Sequence, residues 1–149
     1  MFAQARQRLE QPTPRVALGQ ALRSVATAAI DVSDGLLGDL RHILQASAVG
    51  ATIDTSIAMT LIAACTRTNW AKGIISSEKQ LDYVLAGGDD YELAFTAPAS
   101  ARAAVQAASR QAHTPVTRIG RIDAEPGTRL LDAQGKALPD SFFAFDHFA

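Results

Sequence analysis

A single cysteine, Cys65, stands among the 149 residues, so no disulfide can form within the chain. A lone thiol in an alanine-rich stretch reads as a small packed apolar side chain, and no base partner for a reactive thiolate is evident. This cysteine usage fits a reducing compartment. Charge of one sign is also missing: 14 Lys and Arg stand against 15 Asp and Glu, for a net charge of −1. That balance argues against a general electrostatic binder of nucleic acid and leaves room only for a local basic patch. No long apolar run is present. The longest, Thr55 to Thr66, has twelve residues between Asp54 and Arg67, whereas a spanning helix needs about 20. The opening MFAQARQRLEQ lacks the apolar core of a secretory signal. The expectation is a soluble, cytoplasmic protein.

Several signatures of chemistry are absent as well. The sequence has no G-x-x-x-x-G-K-[ST] loop, no G-x-G-x-x-G fingerprint and no G-x-S-x-G elbow. His42, His113 and His147 lie far apart, without Cys/His spacing suited to zinc. His42, beside a leucine stripe, reads as a helix-surface residue.

What is present is ordinary globular material, 48% hydrophobic and 19% charged, which excludes wholesale disorder. The length suits one domain that buries about two-thirds of its unfolded surface. Residues 1–11 form an arm, helical or frayed, and Pro12 and Pro14 mark the entry into a domain over 12–149. Pro14 can open a helix with Val16, Leu18 and Leu22 as its apolar members. VATAAIDV (25–32) reads as a strand ending near Ile30 to Val32. Leu36, Leu37, Leu40, Ile43 and Leu44 then recur at helical spacing. Ser33 or Asp34 is expected to cap that helix and Gly50 to stop it, before a short strand at 51–54. Further on, the pattern predicts a helix from Glu78 to Ala86, broken by Gly87 and Gly88, and a strand over 91–97. A helix over 101–112, a strand over 116–122 and a hairpin over 128–138 turning at Gln134-Gly135 follow. Alternating strands and helices indicate an α/β or α+β sandwich.

Three segments invite chemistry. In IDVSDG (30–35), Asp31 and Asp34 stand at a strand-to-helix junction. Two carboxylates there suit Mg²⁺, which favours oxygen ligands and commonly takes one or two carboxylates plus phosphate oxygens. Ser33 and the free amides of the helix start suit a phosphate. The same spacing equally describes a plain helix cap. In AGGDDYEL (86–93), Asp89, Asp90 and Glu92 repel one another unless a cation or donor-rich ligand is near. A strand starting at Asp90 would put Asp90 and Glu92 on one face, leaving Asp89 in the turn. A polar turn before a buried strand is the plainer reading. The tail carries Phe142, Phe143, Phe145 and Phe148 with Asp146 and His147. Docking on the core is the ordinary explanation, and stacking on a flat ligand the sharper one. Arg118 and Arg121 of TRIGRI suit either a phosphate or the exposed side of a strand.

The order PTPR, AAIDVSDGLLGDL, GGDDYEL, TRIGRI and terminal FDHF resembles one family over residues 11–149. It is similar to the C-terminal domain of thiamine-monophosphate kinases, in the superfamily that also holds aminoimidazole ribonucleotide synthetase. The resemblance implies an α+β fold: a layered α/β sandwich with a mixed sheet flanked by helices. It implies transfer of the γ-phosphoryl group of ATP to thiamine monophosphate, with Mg²⁺ on aspartates and no Walker loop. Carried over by position, Asp31 and Asp34 would be Mg²⁺ ligands and Ser33 would contact the nucleotide. Asp89 would contact thiamine monophosphate, at a position where many relatives have Glu, and Phe145 would pack on that substrate. No general base is implied, because the acceptor phosphate is already ionised. The family's N-terminal domain, which supplies further aspartates and the main dimer face, has no counterpart here. The expectation is little or no kinase turnover by this chain alone, and self-association through the face the other domain would cover. The alternatives are another ATP-dependent enzyme of the superfamily and a non-catalytic binding module. TRTNWAKGIISSE, within 55–80, follows no recognised pattern of the family.

Overall fold

A computed structural model describes residues 2–61 and 75–139. The arm is a helix, α1 (Phe2–Glu10), with Arg6 paired to Glu10 one turn on. After the prolines comes α2 (Val16–Ala21). Leu18 and Leu22 are buried, whereas Val16 is exposed. Strand β1 (Ala28–Val32) pairs antiparallel with β3 (Glu92–Thr96), in a register that sets Asp31 opposite Leu93 and Val32 opposite Glu92.

Helix α3 (Leu36–Ser47) buries Leu36, Leu37, Leu40, Ile43 and Leu44, the whole expected stripe. Two expectations at its ends do not hold. No side chain caps its start, because the N-cap is Gly35 rather than Ser33 or Asp34. Its end is a left-handed turn at Ala48, and Gly50 is instead the first residue of β2 (Gly50–Asp54). A Cβ at Gly50 would run into the Glu125 carbonyl oxygen and crowd that of Gly127, so glycine is needed there for close backbone approach, not for termination.

Strand β2 lies between β4 (Gly120–Asp123), antiparallel to it, and β5 (Gly127–Leu131), parallel to it. β6 (Ala137–Leu138) completes a mixed sheet of order β4-β2-β5-β6. The central position explains why β2 is buried along nearly its whole length. The β5–β6 hairpin turns as expected. Asp132 accepts from the amides of Gln134 and Lys136 (2.9 Å each), and Gly135 takes φ +77°. The other described elements are α4 (Thr55–Ala58), capped by Asp54 and running into a 3-10 turn (Met59–Leu61), α5 (Ser77–Ala86), capped by Ser76, and α6 (Arg102–Gln111), entered through a 3-10 turn (Ala99–Ala101).

The main core joins α3, α5 and the mixed sheet through Leu37, Leu40, Leu85, Ile53 and Leu130. A second cluster, Leu18, Leu22 and Ala108, packs with Leu93 and Phe95 of β3. The fold is therefore a four-stranded mixed sheet and a separate two-stranded antiparallel sheet, β1-β3, with helices, as the α+β reading requires. Among the described residues, no helix is long and apolar enough to cross a membrane. Cys65, Trp70 and the aromatic tail lie outside the described residues.

Candidate functional site

The site grows from two chain reversals set side by side by the β1–β3 ladder. β1 alternates, so Val32 enters the core while Asp31 stays exposed on the other face. The chain then turns through Ser33, Asp34 and Gly35 into α3. Gly35 has φ +111° and ψ +143°, a conformation almost confined to glycine. A Cβ on it would lie 2.9 Å from the carbonyl carbon of Ala86, so the end of α5 packs directly on this turn.

The second reversal, Gly87 to Tyr91, lies along the first. The Asp89 amide donates to the Ser33 carbonyl at 2.8 Å, and the Tyr91 amide to the Val32 carbonyl at 2.8 Å. Gly88 permits the approach, since a Cβ there would come within 2.7 Å of the Ser33 oxygen. Ser33 and Asp34 are half-buried, and Asp89 is exposed. IDVSDG and GGDDYE, 50-odd residues apart in the chain, thus form one continuous surface.

The electrostatics connect them further. The Tyr91 hydroxyl donates to Asp89 Oδ1 at 3.2 Å. That bond holds the phenol above its ordinary pKa, helped by the Asp89 charge, by desolvation and by the Asp34 charge. Both carboxylates therefore act on one hydroxyl. Asp89 and Tyr91 have φ +65° and +51°, left-handed values that interrupt the extended backbone. For this reason β3 starts at Glu92 rather than at Asp90, and the alternation expected from Asp90 to Glu92 does not hold.

Glu92 has a different task. Arg15 grips it with both arms of its guanidinium (2.8 and 2.6 Å), and Arg8 donates to it at 2.6 Å and to the Asp90 carbonyl at 3.2 Å. The arm and the proline-rich entry are thereby pinned beside the acidic turn. Part of Asp90 stays exposed, yet protein crowds its carboxyl. Loss of water, together with repulsion from Glu92 and Asp89, raises its pKa from 3.8 to about 6 against the pull of Arg8.

The residue that sequence reading passed over is Asp39. It is 4% exposed, on the buried side of α3, and its Oδ2 accepts from the amides of Ser33 (2.9 Å) and Asp34 (3.1 Å). Its signal was a charged residue three positions after Leu36, within the apolar stripe. Arg15, Arg8 and Glu92 were invisible as partners because 77 and 84 residues separate them. Arg121 pairs with Asp123 at 3.1 Å on the exposed side of β4, whereas Arg118 lies before that strand, which starts at Gly120 rather than near 116, and donates to the Gly120 carbonyl. His42 is exposed on α3, as expected of a helix-surface residue. Among the described residues, no three His, Cys, Asp or Glu side chains gather closely enough to cage a metal ion. Phe145 lies outside the described residues.

Residues 4–133 match the family model described as AIR synthase related protein, C-terminal domain. The chain is 38% identical over 143 residues to the thiamine-monophosphate kinase of Salmonella typhimurium, covering 96% of this chain and 42% of that protein. Its backbone resembles the crystal structure of thiamine-monophosphate kinase from Stenotrophomonas maltophilia K279a, with a TM-score of 0.71 and 41% identity over 89% of this chain and 39% of that one. It also resembles AaThiL complexed with AMPPCP and TMP, with a TM-score of 0.60 and 25% identity over 91% of this chain and 39% of that one. The chain spans about two-fifths of the length of the relatives it matches. The family match over most of its length, together with the shared backbone, establishes that the chain belongs to the AIR synthase related family, as its C-terminal domain.

Proposed function

We propose that this chain is the C-terminal part of a cytoplasmic, magnesium-dependent thiamine-monophosphate kinase. The observation that carries the reading is the pairing of the Asp31–Ser33–Asp34 turn with the Asp89 turn through the Asp89–Ser33 and Tyr91–Val32 backbone bonds. The relatives' names and the relative complexed with AMPPCP and TMP supply the substrates, ATP and thiamine monophosphate. In the reaction, a terminal oxygen of the substrate phosphate forms a bond to the γ-phosphorus of ATP. The bond from that phosphorus to the β–γ bridging oxygen breaks, and ADP leaves with the electron pair. Little covalent work falls to the protein in such a transfer, so positioning and charge neutralisation dominate.

Asp31 and Asp34 would hold the Mg²⁺, an ion that commonly takes one or two carboxylates and completes its shell with waters and phosphate oxygens. Bound there, Mg²⁺ would neutralise charge building up on the phosphoryl oxygens. The half-buried Ser33 offers its hydroxyl to the nucleotide. Asp89, on the facing turn, contacts thiamine monophosphate, and Phe145 packs on the same molecule. The acceptor phosphate is ionised, so no residue is asked to remove a proton.

Calorimetry on this chain with ATP, thiamine monophosphate and Mg²⁺ tests the reading. Magnesium-dependent uptake, abolished by Asp31→Asn and by Asp34→Asn, is the expected result. Failure to take up either ligand, or uptake indifferent to both substitutions, overturns it.

A further inference from the structure

We infer that Asp39 is a positioning residue: its buried carboxylate fixes the Ser33–Asp34 turn in the shape that presents Ser33 and Asp34 to ligand. Nothing in the reaction uses Asp39 directly, yet it is a charged side chain only 4% exposed inside an apolar helix face. Such a group is costly to bury unless its hydrogen bonds are met. One oxygen, Oδ2, meets two backbone amides, Ser33 N–H at 2.9 Å and Asp34 N–H at 3.1 Å. Those amides lie two residues and one residue before Gly35, the N-cap of α3. Asp39 therefore reaches back from the first turn of α3 and ties the incoming turn to the helix. Neither Ser33 nor Asp34 caps α3 by its side chain, and both stay half-buried on the turn. The Ser33 carbonyl accepts from the Asp89 amide, so the order imposed by Asp39 passes to the second turn.

The ligand-binding role of Ser33 and Asp34 rests on the proposed phosphoryl-transfer reading, and the test separates the two. Both required bonds end on a single carboxylate oxygen, so Asp39→Asn keeps an acceptor in place without the charge, whereas Asp39→Ala removes it. Two measurements are made on each variant: amide hydrogen exchange by NMR, and broadening of the residue 31–34 amides on titration with Mn²⁺ alone. In Asp39→Ala, exchange at Ser33 and Asp34 should rise about tenfold or more, the factor expected for a lost bond to a charged acceptor. The core amides of Leu40 and Leu130 should be unmoved, and Mn²⁺ affinity should fall about tenfold. Asp39→Asn should restore both quantities to within about threefold of the parent. An alanine variant with unchanged exchange at both amides overturns the inference. So does an asparagine variant that keeps the amides protected yet loses Mn²⁺ as fully as alanine, since Asp39 would then act on the ion by its charge. If the parent takes up no Mn²⁺, the metal reading of Asp31 and Asp34 falls, and the exchange data alone decide whether Asp39 orders the turn.

Discussion

The amide of Asp89 donates to the carbonyl of Ser33 at 2.8 Å. This bond joins two reversals that the chain keeps far apart, and glycines on both sides make it sterically accessible. Gly88 faces the Ser33 oxygen and Gly35 faces the last residue of α5. The acidic turns therefore share a surface because their backbones touch, not because their side chains attract.

Gly35→Ala should destabilise the fold. The position has φ +111°, and the new methyl would meet Ala86 backbone atoms at 2.9 to 3.0 Å. A cost of about 1–3 kcal/mol is expected from the backbone conformation, with the close approach adding to it. A denaturant melt reads this directly. An unchanged midpoint would show that α5 does not press on the turn.

Leu85→Ala should cost about 2–5 kcal/mol, because it empties a fully buried leucine site. Leu85 is 0% exposed and precedes the Ala86 that packs on Gly35. Leu9→Ala, at a residue 62% exposed, is the control and should shift the same melt by less than about 0.5 kcal/mol.

Asp90 should make stability fall as pH rises across the weakly acidic range. Its folded pKa is about 6, raised from 3.8 chiefly by desolvation, so the folded chain holds a proton that the unfolded chain releases. That contribution is whole below 3.8 and is lost as pH rises to about 6. Asp54 and Asp123 run the other way. Hydrogen bonds from Ser56 and Thr52 respectively hold them below 3.8, so their support fades as pH drops below that value. Asp90→Asn should flatten the decline in melting temperature between about pH 4 and about pH 7. A parent curve that instead climbs through this interval refutes the assignment.

Asp89→Asn should weaken uptake of thiamine monophosphate by about tenfold, the loss typical of a charge-assisted bond, and leave magnesium-nucleotide uptake alone. Asp89→Glu should retain binding, since it lengthens the reach by one methylene without loss of charge. Calorimetry with each ligand separately distinguishes this from a general collapse of the surface. Equal loss of both ligands in Asp89→Asn would count against a substrate-side role.

Much of this protein was decided by local order in the sequence. Leu36, Leu37, Leu40, Ile43 and Leu44 specify α3 and its buried face, because their spacing leaves one apolar stripe that must leave water. The chemical identity of the Asp31–Asp34 and Asp89 segments was legible for the same reason: short motifs need only their own residues. Tertiary structure decided the rest. Gly50 was chosen by the approach of Glu125, Asp39 by amides presented to it across a turn, and Glu92 by two arginines from another part of the chain. Each depends on atoms brought near only after the sheets and helices have packed, and a linear pattern contains no distance across that packing.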